Sequence, residues 1–490
     1  MARDKKGKSM ETMHDKSRLA DTVNHALNMQ ANIRRVFWCY VVMFGLLVGN
    51  LGYFVLVEAE GAVANSFNPR MGAASDVLRG SIYDSGGVVL AYSTEDARYY
   101  PWGRSFAHVV GFDGLGRAGV ENNVQLQRLG GEVLQRVDNL FLSGRPLQGN
   151  GIALTLDATV QQLAVDGLGR RRGAVVVMEP STGRILAMAS YPDHDPNNIA
   201  QNWSTLIADY DNAPLLNRAT HGLYPPGSVF KVATAAAAHR HGRHDFVHYC
   251  EGYVYFDTPD GPVRIQCYNA TSHGNVDMHR AFALSCNTYF ARLLVEEVGV
   301  DVLQDTVADI GFSRALPFEL GMAASSFVMS GDAPIGEQMQ TAIGQGRTLA
   351  TPLHMAMMTS AVANGGIMMR PYVFSHAISG ATGRELAREM PRSVGRAFGV
   401  DEAAFLTELM VGATGVGATG APAAIPGVAI ASKTGTAEVA SGAAHGWFVA
   451  FAPAETPQVA VAVIMEHSGG SAAAMSIARG IIQHVLEAAG

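Results

Sequence analysis

The chain has 490 residues, 48% hydrophobic and 16% charged, with a formal net charge of −7. That is the composition of a globular protein with a large core and room for two or three domains. An acidic balance argues against nucleic acid as a partner. The charge is uneven, because residues 1–35 carry eight Lys/Arg against four acids while the remainder is strongly acidic.

From Val36 to Val57 run 22 residues without a charge. About 20 apolar residues cross a bilayer as a helix, and a cleaved signal peptide has a shorter apolar region, about 7–15 residues. The length predicts an uncleaved single-pass signal anchor over 36–57 rather than a leader or a buried core helix. Arg34 and Arg35 abut the span, so the positive-inside rule places a cytoplasmic tail at 1–35. The bulk is then extracytoplasmic and attached to the plasma (inner) membrane. Gly45 and Gly49 are spaced as G-x-x-x-G, a face that permits close helix contact, although glycine is also frequent on lipid-facing surfaces.

Residues 58–150 are rich in Gly and short apolar runs and predict a small β-rich domain. Within it, Arg79 to Ala91 reads as strand, turn, strand. Gly114-Leu-Gly-Arg-Ala-Gly119 matches G-x-G-x-x-G ahead of a helical pattern, Val120 to Leu129, but lacks the βαβ flanks of a dinucleotide site and is read as a turn. A second domain, 151–490, starts with a strand near Ile152 and a hairpin formed by Gly173–Glu179 and Arg184–Ser190. A mainly helical middle over about 276–365 follows. An apolar pair, Trp447–Phe451 and Val459–Glu466, and a last helix near Ala472–Leu486 close the chain. Strands first, helices between and strands last predict an α+β domain whose sheet joins the two ends.

Tyr224-Pro-Pro-Gly-Ser-Val-Phe-Lys231 carries the chemistry. It puts Ser228 and Lys231 three apart at the start of a helical run, on one face, and a serine needs a base within hydrogen-bond reach to become a nucleophile. Ser285-Cys286-Asn287 and Lys433-Thr434-Gly435-Thr436 follow in order. Taken singly, Ser285 and Asn287 suit a helix cap and Lys433-Thr434 a solvated strand. Together with S-x-x-K they form the trio of penicillin-binding proteins and serine β-lactamases.

With these motifs the chain resembles a class B penicillin-binding protein, a peptidoglycan D,D-transpeptidase. Arg79-Gly-x-Ile-x-Asp84 and Gly116-x-x-Gly-Val-Glu121 are similar to pedestal elements of that family. Glu179 to Pro192, Asp195-Pro-Asn197, Gly344-Gln-Gly346 and Thr351-Pro352 are similar to segments around its catalytic helix. The resemblance implies an antiparallel sheet flanked by helices. It implies Ser228 as nucleophile toward the stem-peptide D-Ala carbonyl, Lys231 as base, Ser285 as proton relay and Asn287 as the group holding Lys231. Lys433, Thr434, Gly435 and Thr436 would bind the substrate carboxylate, with the backbone N–H groups of Ser228 and Thr436 as oxyanion hole. β-Lactams would acylate Ser228, and a membrane-embedded SEDS-family polymerase would supply glycan. A serine β-lactamase or D,D-carboxypeptidase is the alternative. A class A hydrolase needs a deacylating glutamate, and Glu319 lacks the accompanying E-x-x-L-N pattern.

No cofactor or metal is expected. His239, His241, His244 and His248 cluster after the catalytic helix, but their spacing lacks a closed ligand set. Cys250 and Cys267 lie in a loop-rich stretch expected outside the cell, where a disulfide and two reduced buried thiols are both open.

Overall fold

The computed structural model describes residues 33–50, 53, 77–127, 147–259 and 261–489. The chain divides into two units, Met1–Ser75 and Asp76–Gly490. In the first, Ile33–Asn50 forms one 18-residue helix, long and apolar enough to cross a membrane; at 1.5 Å per residue it is about 27 Å long. The expected tail up to residue 32, the rest of the expected span apart from Tyr53, and stretches 54–76 and 128–146 lie outside the described residues.

The second unit is built on a five-stranded antiparallel sheet in the order Ile185–Tyr191, Gly173–Met178, Val459–Met465, His445–Ala452, Ala431–Ala437. Side chains alternate across a strand with period two, and here both faces are buried. Val175, Val177, Val461, Val463 and Phe448 point to one face, covered by helices Ala158–Leu168 and Ala472–Ala489. Val176, Met178, Ala462, Ile464 and Val449 point to the other, toward helices Lys231–Arg240 and Pro352–Ala363. A sheet covered twice reads as continuous apolar runs, as Ala174-Val-Val-Val-Met178 does. Pro352–Ala363 is buried all round and starts on a capped turn, with the Thr351 side chain accepting from His354 N and Pro352 at the first helical position.

A second sheet of six strands runs Glu385–Arg388, Phe374–Ile378, Gly151–Leu154, Ile82–Tyr83, Val89–Ser93, Arg98–Tyr99. It draws strands from both sides of residue 150, with Ile82 and Tyr83 paired in parallel to Ile152 and Ala153. Two of the resemblance motifs meet inside it. Glu121, 0% exposed, accepts from Arg79 Nη2 at 2.7 Å and from Arg98 Nε at 2.8 Å. Asp84 accepts from Gly86 N and Val88 N within its own turn and from Ala158 N, at 3.0 Å, at the start of the next helix. Asn197 exchanges hydrogen bonds with the backbone of Tyr100, both at 3.0 Å. Asp84 and Asn197 thus staple the N-terminal strands to the rest, while Glu121 ties those strands to one another.

Two expectations change. The helix read over Val120 to Leu129 is two 3-10 turns, Gly119–Asn122 and Val124–Gln127, as far as the described residues reach. Gly119 has φ +59 and a Cβ there would lie 2.4 Å from the Val109 carbonyl, so close backbone packing replaces a regular helix. The middle over 276–365 is interrupted at 311–334, which has no helix.

Candidate active site

Ser228 lies in the 3-10 turn Gly227–Phe230, which runs straight into helix Lys231–Arg240. Gly227 has φ +54, and a Cβ on it would sit 2.6 Å from the Thr436 carbonyl. Only glycine lets this turn lie against the edge strand Ala431–Ala437. Gly227 N donates to Gly344 O at 2.8 Å, and Trp447 Nε1 donates to Pro225 O at 2.9 Å. The nucleophile turn is thereby fixed from the edge strand, the neighbouring strand and the Gly344-Gln-Gly346 loop. Gln345 Nε2 also reaches Thr436 O, at 3.4 Å.

Lys231 and Lys433 are both fully buried, whereas Ser228 and Thr436 are half-buried at the rim. Lys231 Nζ donates to Asn287 Oδ1 at 2.7 Å, to the Ser285 carbonyl at 2.8 Å and to Ser285 Oγ at 3.2 Å. Lys433 Nζ donates to the same Ser285 Oγ at 3.0 Å and to Thr434 O at 3.2 Å. Ser285 Oγ therefore bridges two amines. Its backbone is in the left-handed region, φ +55, a conformation uncommon for a non-glycine residue and concentrated at functional sites. It presents hydroxyl and carbonyl together to Lys231.

No carboxylate pairs with either amine among the described residues. Ring faces stand there instead, Phe290 5.3 Å from Lys231 Nζ and Phe282 5.4 Å from Lys433 Nζ. Burial pushes the Lys231 ammonium down to about 8. Burial, and then the charge of Lys231, hold Lys433 well below the usual amine range. A lysine so placed is suited to accept a proton near neutral pH.

The cap reading of Ser285 and Asn287 fails on geometry. Cys286 is the N-cap residue of helix Asn287–Arg292 and makes no side-chain cap bond; Asn287 spends its amide on Lys231 and, through Nδ2, on Gln266 O at 2.8 Å. Thr434 Oγ1 donates at 2.8 Å to Thr419 Oγ1, which bonds Ala283 O in turn. Gly435 lies against Trp447 Cβ and Pro226 O, at 2.9 and 3.2 Å from where a Cβ would be. Thr419 and Gln345 were not singled out in the sequence as residues touching the edge strand. Thr419 has no motif around it; Gln345 was visible only through its flanking glycines.

Glu319 Oε1 accepts from the backbone N–H groups of Val373 and Phe374 at 2.6 and 2.7 Å, which binds it to the six-stranded sheet rather than to a water beside Ser228. His239 and His244 pack on Phe405, and His248 Nε2 bonds Thr288 Oγ1 at 3.2 Å. Cys250 and Cys267 do come together, with Sγ atoms 3.7 Å apart, but as free thiols, so the disulfide left open by the sequence is not formed here. Cys286 and His273, not linked to them in the sequence reading, complete the cluster.

Comparisons with known proteins agree with this geometry. The penicillin binding protein transpeptidase domain model matches residues 173–486. The peptidoglycan D,D-transpeptidase PbpA of Mycolicibacterium smegmatis is 34% identical over 501 residues, spanning 94% of this chain and 99% of that protein. The imipenem acyl-enzyme complex of penicillin-binding protein A from M. tuberculosis superposes with TM-score 0.76 at 34% identity, covering 84% of this chain and 99% of that one. The D,D-transpeptidase domain of a peptidoglycan glycosyltransferase from Eggerthella lenta gives 0.75 at 32% identity, covering 85% and 100%. A serine turn, two buried amines sharing one serine hydroxyl and this set of relatives lead to one conclusion: the chain belongs to the penicillin-binding protein transpeptidase family, as a class B member.

Proposed function

We propose that this protein is a membrane-anchored peptidoglycan D,D-transpeptidase that crosslinks stem peptides through an acyl-enzyme on Ser228. The observation that carries the reading is the Ser285 hydroxyl held between Lys231 Nζ and Lys433 Nζ. Ser228 Oγ attacks the penultimate D-Ala carbonyl and passes its proton to neutral Lys231. The carbonyl oxygen, now negative, is held by the backbone N–H groups of Ser228 and Thr436, a type of contribution worth about 2.7–4 kcal/mol per donor. As the terminal D-Ala leaves, its nitrogen takes a proton from Ser285 Oγ, which the two lysines resupply. Lys433, Thr434 and Thr436 receive the terminal carboxylate, with Gly435 between them keeping the strand close. An amine of a neighbouring stem peptide then takes the acyl group and frees Ser228. A β-lactam enters the same first half and stalls as an ester.

Labelling the full-length protein in detergent with a fluorescent penicillin tests this. Ser228→Ala should lose all covalent label while its unfolding temperature stays put, and the wild-type adduct should persist for many minutes. Label on Ser228→Ala, or rapid turnover of the penicillin by wild type, sinks the assignment.

The same reading gives the chain a cytoplasmic tail at 1–35, a span over 36–57, a pedestal over 58–150 and a transpeptidase domain over 151–490. It also calls for a partner that makes glycan strands, a SEDS-family polymerase. The support is the spacing of Gly45 and Gly49, which lie four apart on helix Ile33–Asn50 and so share one face. Small residues in that spacing let helices approach closely in a bilayer. Gly49→Leu should weaken co-purification with the polymerase; complex formation at the wild-type level would leave the protein a stand-alone crosslinker.

A further inference from the structure

Four side chains beside the catalytic motif converge without any role in the chemistry above. Cys250 ends the strand His248–Cys250, and Cys267 directly follows the strand Val263–Gln266. His273 precedes the strand Gly274–Val276, which pairs with His248–Cys250. Cys286 is the middle residue of Ser285-Cys286-Asn287. Their ligand atoms all lie within 4.8 Å of one another; the three cysteines are buried and the histidine half-buried.

We propose that Cys250, Cys267, His273 and Cys286 form a structural Cys3His site for a tetrahedral Zn2+ ion. A zinc ion with Zn–S near 2.3 Å and Zn–N near 2.0–2.1 Å requires edges of about 3.8 Å between sulfurs and about 3.6 Å between sulfur and nitrogen. The structure has Cys250 Sγ–Cys267 Sγ at 3.7 Å, Cys267 Sγ–Cys286 Sγ at 3.8 Å and Cys250 Sγ–His273 Nδ1 at 3.4 Å. A disulfide would employ two of these sulfurs and leave the third thiol and the imidazole without a purpose.

Hydrogen-bonding groups surround the sulfurs. Gly252 N donates to Cys250 Sγ at 3.3 Å, and the Thr288 hydroxyl lies 3.3 Å from Cys286 Sγ and 3.9 Å from Cys267 Sγ. His248 Nε2, 3.2 Å from Thr288 Oγ1, fixes that hydroxyl. Such outer partners orient ligands and support their charge. The loop is held independently, by Cys267 N to Gly252 O at 2.8 Å and by Ser272 Oγ to Cys250 O at 2.8 Å. On binding, three thiols release their protons to solvent and the neutral imidazole donates through Nδ1, giving a four-coordinate centre with no open position and hence no catalytic water.

The location gives the ion its task. Cys286 stands between Ser285 and Asn287, and Gln266, next to Cys267, accepts the Asn287 amide. A zinc ion would therefore tie the 250–273 loops to the backbone that presents Ser285 and Asn287 to Lys231. This inference is independent of the transpeptidase reading, since the ligands would hold zinc whatever Ser228 does.

The test uses full-length protein purified in detergent without chelator or added metal, assayed for metal by plasma mass spectrometry. About one zinc per chain is expected. His273→Gln, at a half-buried position that should tolerate it, and Cys267→Ser should each lower that content by about tenfold or more, while Cys39→Ser in the apolar helix should not. Co2+ introduced after zinc removal should give intense tetrahedral absorption with thiolate charge-transfer bands in wild type, weakened in His273→Gln. Wild-type protein that is metal-free with Cys250, Cys267 and Cys286 all alkylated, or that carries a Cys250–Cys267 disulfide, overturns the proposal. Penicillin labelling, read on the same samples, separates this result from the fate of the Ser228 assignment.

Discussion

In the six-stranded sheet region, Glu121 is 0% exposed and lies between Arg79 and Arg98, with every charge facing its opposite. At the cleft, Lys231 and Lys433 are equally buried, yet share one neutral hydroxyl and face phenyl rings. The first arrangement repays desolvation with opposite charge and donated hydrogen bonds, and its loss leaves an uncompensated ion. The second leaves desolvation unrelieved, which lowers the pH at which the amines give up a proton, to about 8 for Lys231. Buried charge holds the fold in one place and supplies chemistry in the other, and what decides between the two is whether a counter-ion is present.

Three substitutions break or sharpen that contrast. The largest expected effect is on rate: Lys231→Met should slow penicillin acylation by about a hundredfold to ten-thousandfold, the usual contribution of a positioned base. Its unfolding temperature should be unchanged or higher, because an apolar side chain replaces a desolvated cation. A clear fall in stability would show that Lys231 is structural after all. Glu121→Gln should do the reverse, costing about 3–5 kcal/mol of stability by removing the buried carboxylate that Arg79 and Arg98 share. Its acylation rate at temperatures where it stays folded should match wild type, and chemical denaturation beside a labelling time course measures both. The smallest effect is expected from Gly227→Ala. A Cβ 2.6 Å from Thr436 O, on a residue at φ +54, should impose strain of about 1–3 kcal/mol and part the turn from the edge strand. Acylation slowed by roughly tenfold to a hundredfold would match that strain; an unaltered rate would mean that the turn relaxes without disturbing the oxyanion donors.

The contrast also explains what could be read in advance. Motifs whose members are close in the chain, such as Ser228 with Lys231, or Lys433 to Thr436, were visible because one local structure delivers them. So were the strands Gly173–Met178 and Ile185–Tyr191, whose apolar runs and glycine-containing turn are local signals. The pairing of Arg79 with Glu121 was not visible, though both lay in segments singled out, since nothing in either segment names its partner. The cysteine and histidine group was missed for a related reason. Its members are separated by 16, 5 and 12 residues, and each sits at the end of a different short element. The histidines at 239–248, closer together in sequence, drew attention to the wrong place. The six-stranded sheet escaped because two of its strands are two residues long, too short for any periodicity to show.

The order of strands in the five-stranded sheet has a consequence for how the molecule is made. Gly173 lies opposite Met465, and in the other sheet Ile152 lies opposite Ala377. The six-stranded sheet cannot close before Arg388 is made, nor the five-stranded sheet before Met465, and pairings between such distant segments form slowly. Until then the apolar strand Gly173–Met178 has only the hairpin partner Ile185–Tyr191 and a bare second edge, a template for mispairing. A chain ending before Val459 would keep its nucleophile turn, both lysines and the complete motif trio, and still lack the strand that joins the hairpin to the catalytic edge. Successful folding is therefore decided at the last thirty or so residues rather than at the residues that react.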